Sequence, residues 1–176
     1  RILGRVTNEM TVGEMRQLLA HDRLAFSEEQ YDLLIMAKTA SLLSGACETG
    51  AIRAPAEQRQ AMREFGLRLG MAFQIVDDLL DYTGDATITG KPIDADLREH
   101  KVTLPLIYAL PRLSARQRRE VSALMDTETP TDAQIAAVVE AVTETGGLDY
   151  ARERATSLST GAEAALEVLA PSPARE

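Results

Sequence analysis

The stretch that most constrains this chain is an apolar segment that carries three aspartates, between Gly70 and Tyr82. At about 3.6 residues per turn, its polar side chains fall within one arc of roughly 100° of a helix. Those polar residues are Gln74, Asp77, Asp78 and Asp81. The remaining directions hold Met71, Phe73, Ile75, Val76, Leu79 and Leu80. This pattern predicts a core helix with one acidic stripe.

Three carboxylates on one face of a core helix repel each other and resist removal from water. One interpretation of Asp77, Asp78 and Asp81 is a solvated acidic stripe beside the core. The other is a site for hard divalent cations such as Mg²⁺, which take oxygen ligands and often bridge to substrate phosphates. The three aspartates by themselves leave both interpretations open.

The sequence downstream of the acidic segment decides between them. Gly90-Lys91 follows, then Asp96-Leu97, then Lys101-Val-Thr103-Leu104-Pro105. Together with Phe73-Gln74 and the aspartates, these elements resemble the second aspartate-rich region of trans-isoprenyl (polyprenyl) diphosphate synthases. Upstream, Tyr31 followed by Lys38-Thr39-Ala40 resembles another helix of the same family.

The resemblance implies a role for each matching residue. Lys38, Lys91 and Lys101 would hold the diphosphate of an allylic substrate, and Thr39 and Gln74 would line the reacting hydrocarbon. It implies that Mg²⁺ is the cofactor, with Asp77 as a direct ligand and Asp78 and Asp81 as ligands or as acceptors for metal-bound water. Asp77, Lys38 and Gln74 would be catalytic. From pattern alone, a snorkelling stem is the usual explanation of a lysine such as Lys38, and a solvated loop lysine is the usual explanation of Lys91.

The sequence departs from the family pattern at two positions in the region after the aspartates. The family usually has glycine where this chain has Asp94, and again before the final lysine, where this chain has His100. Asp94 adds negative charge near the predicted phosphate site. The departures put the local backbone geometry in question, and His100 is expected to be a surface residue without a catalytic role.

Composition favours an all-α fold. Only 4% of the 176 residues are aromatic, none is Trp, and no alternating strand pattern or hairpin turn is visible. The formal net charge is −8, which argues against nucleic acid as a partner. Cys47 is the single cysteine, so an intrachain disulfide is impossible and a reducing, cytoplasmic location is expected. No apolar run is long enough to span a membrane.

Periodicity and capping signals predict the helix boundaries. Helices are expected over 1–10, 11–19, 27–46, 57–83, from 103, and over 114–125, 131–145 and 148–169. Ser27, Ser114 and Thr131 are each followed three residues later by Gln, which predicts capping boxes. Residues 85–95 are expected to form a loop.

The resemblance covers essentially the whole chain but only the C-terminal half of the family's domain. Residues 1–170 would be the C-terminal part of a single all-α isoprenoid synthase domain, with 171–176 as a tail. The implied function is Mg²⁺-dependent condensation of an allylic diphosphate with isopentenyl diphosphate, in a homodimer. The alternatives are a non-catalytic subunit of a heteromeric prenyl synthase and a class I terpene cyclase. Because the first aspartate motif of the family is not in this sequence, these 176 residues alone are expected to be inactive.

Overall fold

The computed structural model describes residues 1–18, 23–84 and 94–172. Every regular element within these ranges is helical, as the composition predicted. The α-helices are α1 (Ile2–Leu18), α2 (Glu28–Ile35), α3 (Ser41–Gly50), α4 (Ala56–Thr83), α5 (Ala95–Arg98), α6 (Leu104–Ala109), α7 (Ala115–Asp126), α8 (Asp132–Glu144) and α9 (Gly147–Ala165). A π-helical segment, Met36–Ala40, joins α2 to α3. Short 3-10 turns lie at Arg23–Ala25, Leu110–Arg112 and Leu166–Val168. No helix in the described part of the chain is both long and apolar enough to cross a membrane.

The predicted capping boxes are confirmed. The Ser27 hydroxyl accepts from the Gln30 backbone N–H at 3.3 Å, and the Gln30 side chain accepts from the Ser27 N–H at 2.9 Å. The same reciprocal pairs occur at Ser114 and at Thr131. These caps were predictable because each depends on residues only three positions apart, which satisfy the otherwise unpaired N–H groups of a first helical turn.

Two predicted boundaries are wrong. The break expected near residue 11 is absent, and α1 runs without interruption from Ile2 to Leu18. The long helix expected over 27–46 is present as α2, the π-helical segment and α3 without a break, but it ends at Gly50 rather than near Ala46. Gly13 lies inside α1 and is buried, so tertiary packing rather than a helix start explains the glycine there.

The chain divides into two compact units. The first consists of Arg1–Leu19, Asp32–Gln74 and Arg154–Glu176. Its core is built largely from small side chains such as Ala40 and Ala162, which allow helices to approach closely. Polar ties supplement the core: the Ser44 hydroxyl donates to the Arg63 carbonyl at 2.9 Å.

The second unit consists of Ala20–Tyr31 and Ile75–Glu153. Its core uses larger aliphatic side chains, and each fully buried one contributes roughly 1.5–3 kcal/mol. The fully buried members include Ile75, Leu97, Leu104, Leu106, Val121, Leu124, Ile135, Val138 and Val142. The Tyr150 ring stacks on Tyr108 with 4.1 Å between centroids, and its hydroxyl donates to Glu28 at 2.7 Å. The prediction of one domain over 1–170 stays a prediction.

The interpretation of the aspartate-bearing segment as a core helix is wrong for one of its faces. Ile75 and Leu79 are buried, but Phe73 is 59% exposed, and Val76 and Leu80 are also exposed. With Leu69, these three form an apolar stripe along α4 at helical spacing. Periodicity shows which residues share a face but not whether anything covers it, and this stripe is open in the chain as it stands.

Candidate active site

Lys38 lies in the π-helical segment, where the backbone makes a wide turn. The Ser41 N–H bonds to the Met36 carbonyl, five residues back instead of the usual four. Segments of this kind occur frequently at functional sites. The Lys38 side chain is 44% exposed, and its ammonium lies 3.1 Å from a carboxylate oxygen of Glu14 on α1. This exposed, carboxylate-paired head group shows that Lys38 presents a charge at the surface of the first unit.

Thr39 and Gln74, two residues of the predicted site, lie next to each other. The Thr39 hydroxyl donates to the Gln74 Oε1 at 2.9 Å, which links the π-helical segment to α4 within the first unit. Both side chains are partly exposed. The hydrogen bond restrains the rotamers of both residues, so their dipoles are held in place before any ligand arrives.

Asp78 is buried and is tied to the protein itself. Its side chain is among the few buried charged groups of the described residues, with 5% of the residue exposed. The hydroxyl of fully buried Tyr31 donates to the Asp78 Oδ2 at 2.6 Å. A short bond from a neutral hydroxyl to a carboxylate is of the stronger, charge-assisted kind. Asp78 therefore has a clear structural role within the second unit.

Asp81 holds the start of α5, and most of the loop predicted over 85–95 lies outside the described residues. Its two carboxylate oxygens accept from the backbone N–H groups of Ala95 at 3.1 Å and Asp96 at 3.0 Å. Asp94, which precedes α5, makes no side-chain cap of its own. The carboxylate of α4 thus replaces the missing cap at the start of α5. Burial raises the pKa of Asp81, the negative charges of Asp96 and Asp94 add to that rise, and the two N–H bonds oppose it.

Asp77 is partly exposed, as Asp81 is, whereas Asp78 is buried. Within the described ranges, no three Asp, Glu, His or Cys side chains gather closely enough to hold a metal ion. The trio of aspartates therefore does not form a ready three-ligand cluster. Asp77 and Asp81 are the two aspartates whose exposure suits contact with an external cation.

Lys101 is held by carboxylates next to it in the chain. Its ammonium lies 3.1 Å from Asp96 and 2.7 Å from Glu99. Partial burial lowers the pKa of Lys101, but the hydrogen bonds to Glu99 and Asp96 outweigh this and raise it well above its ordinary value. The lysine is therefore fully charged at neutral pH. Lys91, the third lysine of the predicted site, lies outside the described residues.

The two departures from the family pattern have one structural explanation. Asp94 has φ 65° and His100 has φ 57°, and these are the only non-glycine residues with positive φ among those described. Glycine adopts this left-handed conformation without steric cost, whereas Asp and His are among the other residues that tolerate it best. As expected, His100 is a loop residue: its Nε2 N–H donates to the Thr127 carbonyl at 2.8 Å.

Comparison of this chain with known proteins identifies its family. The family model described as polyprenyl synthetase matches residues 1–142. This chain belongs to that family. The matched range contains every residue assigned to the predicted site, from Lys38 to Lys101. The resemblance inferred from the aspartates and the lysine motifs is confirmed.

Relatives show how far the similarity extends. The chain is 40% identical over 171 residues to the all-trans-nonaprenyl-diphosphate synthase (geranyl-diphosphate specific) of Rhodobacter capsulatus, covering 97% of this chain and 52% of the relative. It is 33% identical to the octaprenyl diphosphate synthase of Escherichia coli, covering 99% and 54%. A polyprenyl synthase from Caulobacter crescentus, solved with calcium and isoprenyl diphosphate, superposes with a TM-score of 0.93 at 34% identity, covering 99% of this chain and 54% of that one. The chain therefore spans about half the length of these relatives.

Sequence reasoning missed three residues that shape the candidate site. They are Glu14, which pairs with Lys38, Tyr31 as the partner of Asp78, and Ser41, which bonds within the π-helical segment. Tyr31 was noted only as part of a motif. Each pairing except that of Ser41 joins residues more than 20 positions apart, and no local pattern signals such a contact.

Proposed function

We propose that the protein carrying this chain is a trans-prenyltransferase, which condenses an allylic diphosphate with isopentenyl diphosphate. The observation that carries the proposal is the family match over residues 1–142, together with relatives named as all-trans-nonaprenyl and octaprenyl diphosphate synthases. Those names concern synthases that build prenyl chains, so they disfavour both a terpene cyclase and a non-catalytic subunit.

The proposed reaction breaks the allylic C–O bond, which leaves an allylic cation and a diphosphate anion. The double bond of isopentenyl diphosphate then attacks the cation, and a proton leaves to form the new double bond. Lys38, Lys91 and Lys101 would bind the departing diphosphate as point charges. Thr39 and Gln74, already bonded to each other at 2.9 Å, would place fixed dipoles beside the cation.

The three aspartates near the end of α4 partly fit a site for a hard cation. Its side-chain donors are carboxylate oxygens, which suit Mg²⁺. Asp78 is buried against Tyr31, and both carboxylate oxygens of Asp81 accept from backbone N–H groups. We assign the direct ligand to Asp77 because the family resemblance implies it and because its side chain is partly exposed. Mg²⁺ bound there would neutralise charge on the leaving diphosphate. The relative solved with calcium and isoprenyl diphosphate supports a divalent cation in this family.

We also propose that the protein is cytoplasmic and works as a homodimer. The cytoplasmic location is supported by the low cysteine content of this chain, in which Cys47 is the single cysteine of 176 residues. The dimer rests on the family resemblance and on exposed apolar side chains such as Leu3 and Met15 of α1. Sedimentation analysis of the complete protein tests this, and a monomer at micromolar concentration would contradict it.

The test of the function is a product assay with the complete protein. Labelled isopentenyl diphosphate, an allylic diphosphate and Mg²⁺ should give prenyl diphosphates longer than the primer, and a chelator should abolish them. Omitting the allylic primer should also abolish product, which separates prenyl transfer from hydrolysis of either diphosphate. Cyclic hydrocarbon formed from the allylic diphosphate alone would show a cyclase instead.

A further inference from the structure

The π-helical segment Met36–Ala40 is held in an unusual geometry from inside its own helix. Because the Ser41 N–H bonds to the Met36 carbonyl, it is not donated to the Ala37 carbonyl four residues back. The Ser41 hydroxyl donates to the Ala37 carbonyl instead, at 2.7 Å. Ser41 is 3% exposed, so water cannot easily take over this bond. The wide turn therefore depends on a buried hydroxyl at this position.

Two glycines on neighbouring helices also pack closely against the segment. A Cβ on Gly13 of α1 would lie 3.0 Å from both the Ala37 Cβ and the Lys38 backbone N. A Cβ on Gly70 of α4 would lie 2.6 Å from the Ala40 Cα. Real Cβ atoms essentially never approach as closely as 2.6 Å, so α4 can touch the segment here only because residue 70 is glycine. At 3.0 Å a Cβ on Gly13 would be tight, and the segment would have to give by a few tenths of an ångström. The three contacted residues surround Thr39.

We propose that Gly13, Gly70 and Ser41 are positioning residues, which fix the wide turn so that Lys38 and Thr39 meet the substrate in the productive geometry. This rests on the proposed function, in which Lys38 binds diphosphate. An ordinary helical turn here would rotate Lys38 and Thr39 relative to α1 and α4, and so away from Glu14 and Gln74. Positioning matters because a shift of about 1 Å can cost on the order of 100-fold in rate.

The main variant is Gly13→Ala, with Gly4→Ala as its matched control. Both glycines lie in α1, but a Cβ on Gly4 meets nothing within 4 Å. In the complete protein, Gly13→Ala should push the segment by a few tenths of an ångström and raise the KM for the allylic diphosphate about three- to tenfold. Gly4→Ala should leave KM unchanged. Equal KM values in the two variants would overturn the proposal.

Ser41→Ala is a second variant that introduces no steric clash, and it serves if Gly13→Ala folds poorly. It removes only the hydroxyl that satisfies the Ala37 carbonyl. The dissociation constant of inorganic diphosphate, measured calorimetrically with Mg²⁺, should rise about threefold or more while circular dichroism stays unchanged. Normal diphosphate binding by Ser41→Ala would contradict a positioning role, whatever its melting temperature.

A double-mutant cycle separates this proposal from the proposed function. Lys38→Ala alone should weaken diphosphate binding, and if it does not, the assignment of Lys38 as a phosphate ligand is wrong. If it does, Gly13→Ala should have little further effect on diphosphate binding in the Lys38→Ala background, because it acts through that lysine. Full additivity of the two changes would show that Gly13 acts elsewhere, which would overturn the inference while leaving the function intact.

Discussion

The left-handed backbone at Asp94 allows a quantitative prediction of how substitutions there change the free energy of unfolding. A side chain with a Cβ costs about 1–2 kcal/mol in this conformation, and Asp sits near the lower end of that range because its short polar side chain tolerates it. Glycine would remove the strain at an entropic cost of about 0.5–1 kcal/mol from the unfolded chain. Asp94→Gly should therefore raise the free energy of unfolding by about 0.5 kcal/mol.

The matched variant is Asp94→Ala, which removes the same carboxylate but keeps the Cβ. Alanine bears the full strain without the tolerance of Asp, so it should lower the free energy of unfolding by about 0.5–1 kcal/mol. The two variants should then differ by about 1–1.5 kcal/mol. For a chain of this size that corresponds to a gap in Tm of roughly 2–6 °C, with glycine the higher. Thermal unfolding followed by circular dichroism at neutral pH is a sufficient assay.

The carboxylate of Asp94 adds a pH dependence to this comparison. Burial raises the pKa of Asp94, Arg98 opposes the rise, and Asp132 adds to it. A raised pKa means that the folded chain binds this proton more tightly than the unfolded chain, so the contribution of Asp94 to stability falls as pH rises through that pKa. The advantage of glycine over Asp should accordingly shrink at acidic pH. If Asp94→Ala proves as stable as Asp94→Gly, the backbone explanation is wrong.

Three further predictions concern other parts of the chain. Tyr31→Phe should cost about 1.5–3 kcal/mol in urea unfolding because it deprives buried Asp78 of a charge-assisted donor, and a loss below about 0.5 kcal/mol would contradict that role. Burial raises the pKa of Cys47, so its alkylation by iodoacetamide at pH 8 should be slower than that of free cysteine, and an equal rate would contradict the shift. These 176 residues alone should show no prenyl chain elongation. They should also self-associate through the exposed apolar stripe of α4, which light scattering would detect. A monodisperse, active monomer would refute both predictions.

Local signals predicted much of this fold. The capping boxes at Ser27, Ser114 and Thr131, and the end of α4 at Thr83, depend on residues within one or two turns of each other. Such patterns are readable in a single sequence because the hydrogen bonds they satisfy are local. The family resemblance also identified Thr39 and Gln74, which the structure joins by a hydrogen bond.

What could not be predicted depends on contacts distant in sequence. The wide turn at Met36–Ala40 has no propensity signature, and its packing depends on Gly13 and Gly70. The carboxylate of Asp81 caps α5 from 14 residues away, which no helix-start pattern records. The spacing of apolar residues in α4 predicted that Phe73 is buried in the core, but Phe73 is exposed. Periodicity carries no information about what covers a helix face.

Positive φ at Asp94 and His100 could have been predicted but was not. The usual glycine at both positions of the family pattern is itself a signal of left-handed backbone. The departures were interpreted instead as a question about charge and loop geometry. The structure shows that the backbone conformation is retained and that the two substituted residues belong to the few types that accept it.

The proposed role of Asp77 is to contribute to Mg²⁺-dependent ionisation of an allylic diphosphate. Its most direct test is kcat for Asp77→Ala in the complete protein at saturating Mg²⁺, against Asp149→Ala, which removes an exposed carboxylate of α9. Loss of charge stabilisation in the transition state should lower kcat by on the order of 1,000-fold in Asp77→Ala, with an unchanged or higher Tm, and leave Asp149→Ala active. Equal Mg²⁺-dependent turnover in the two variants would contradict the account.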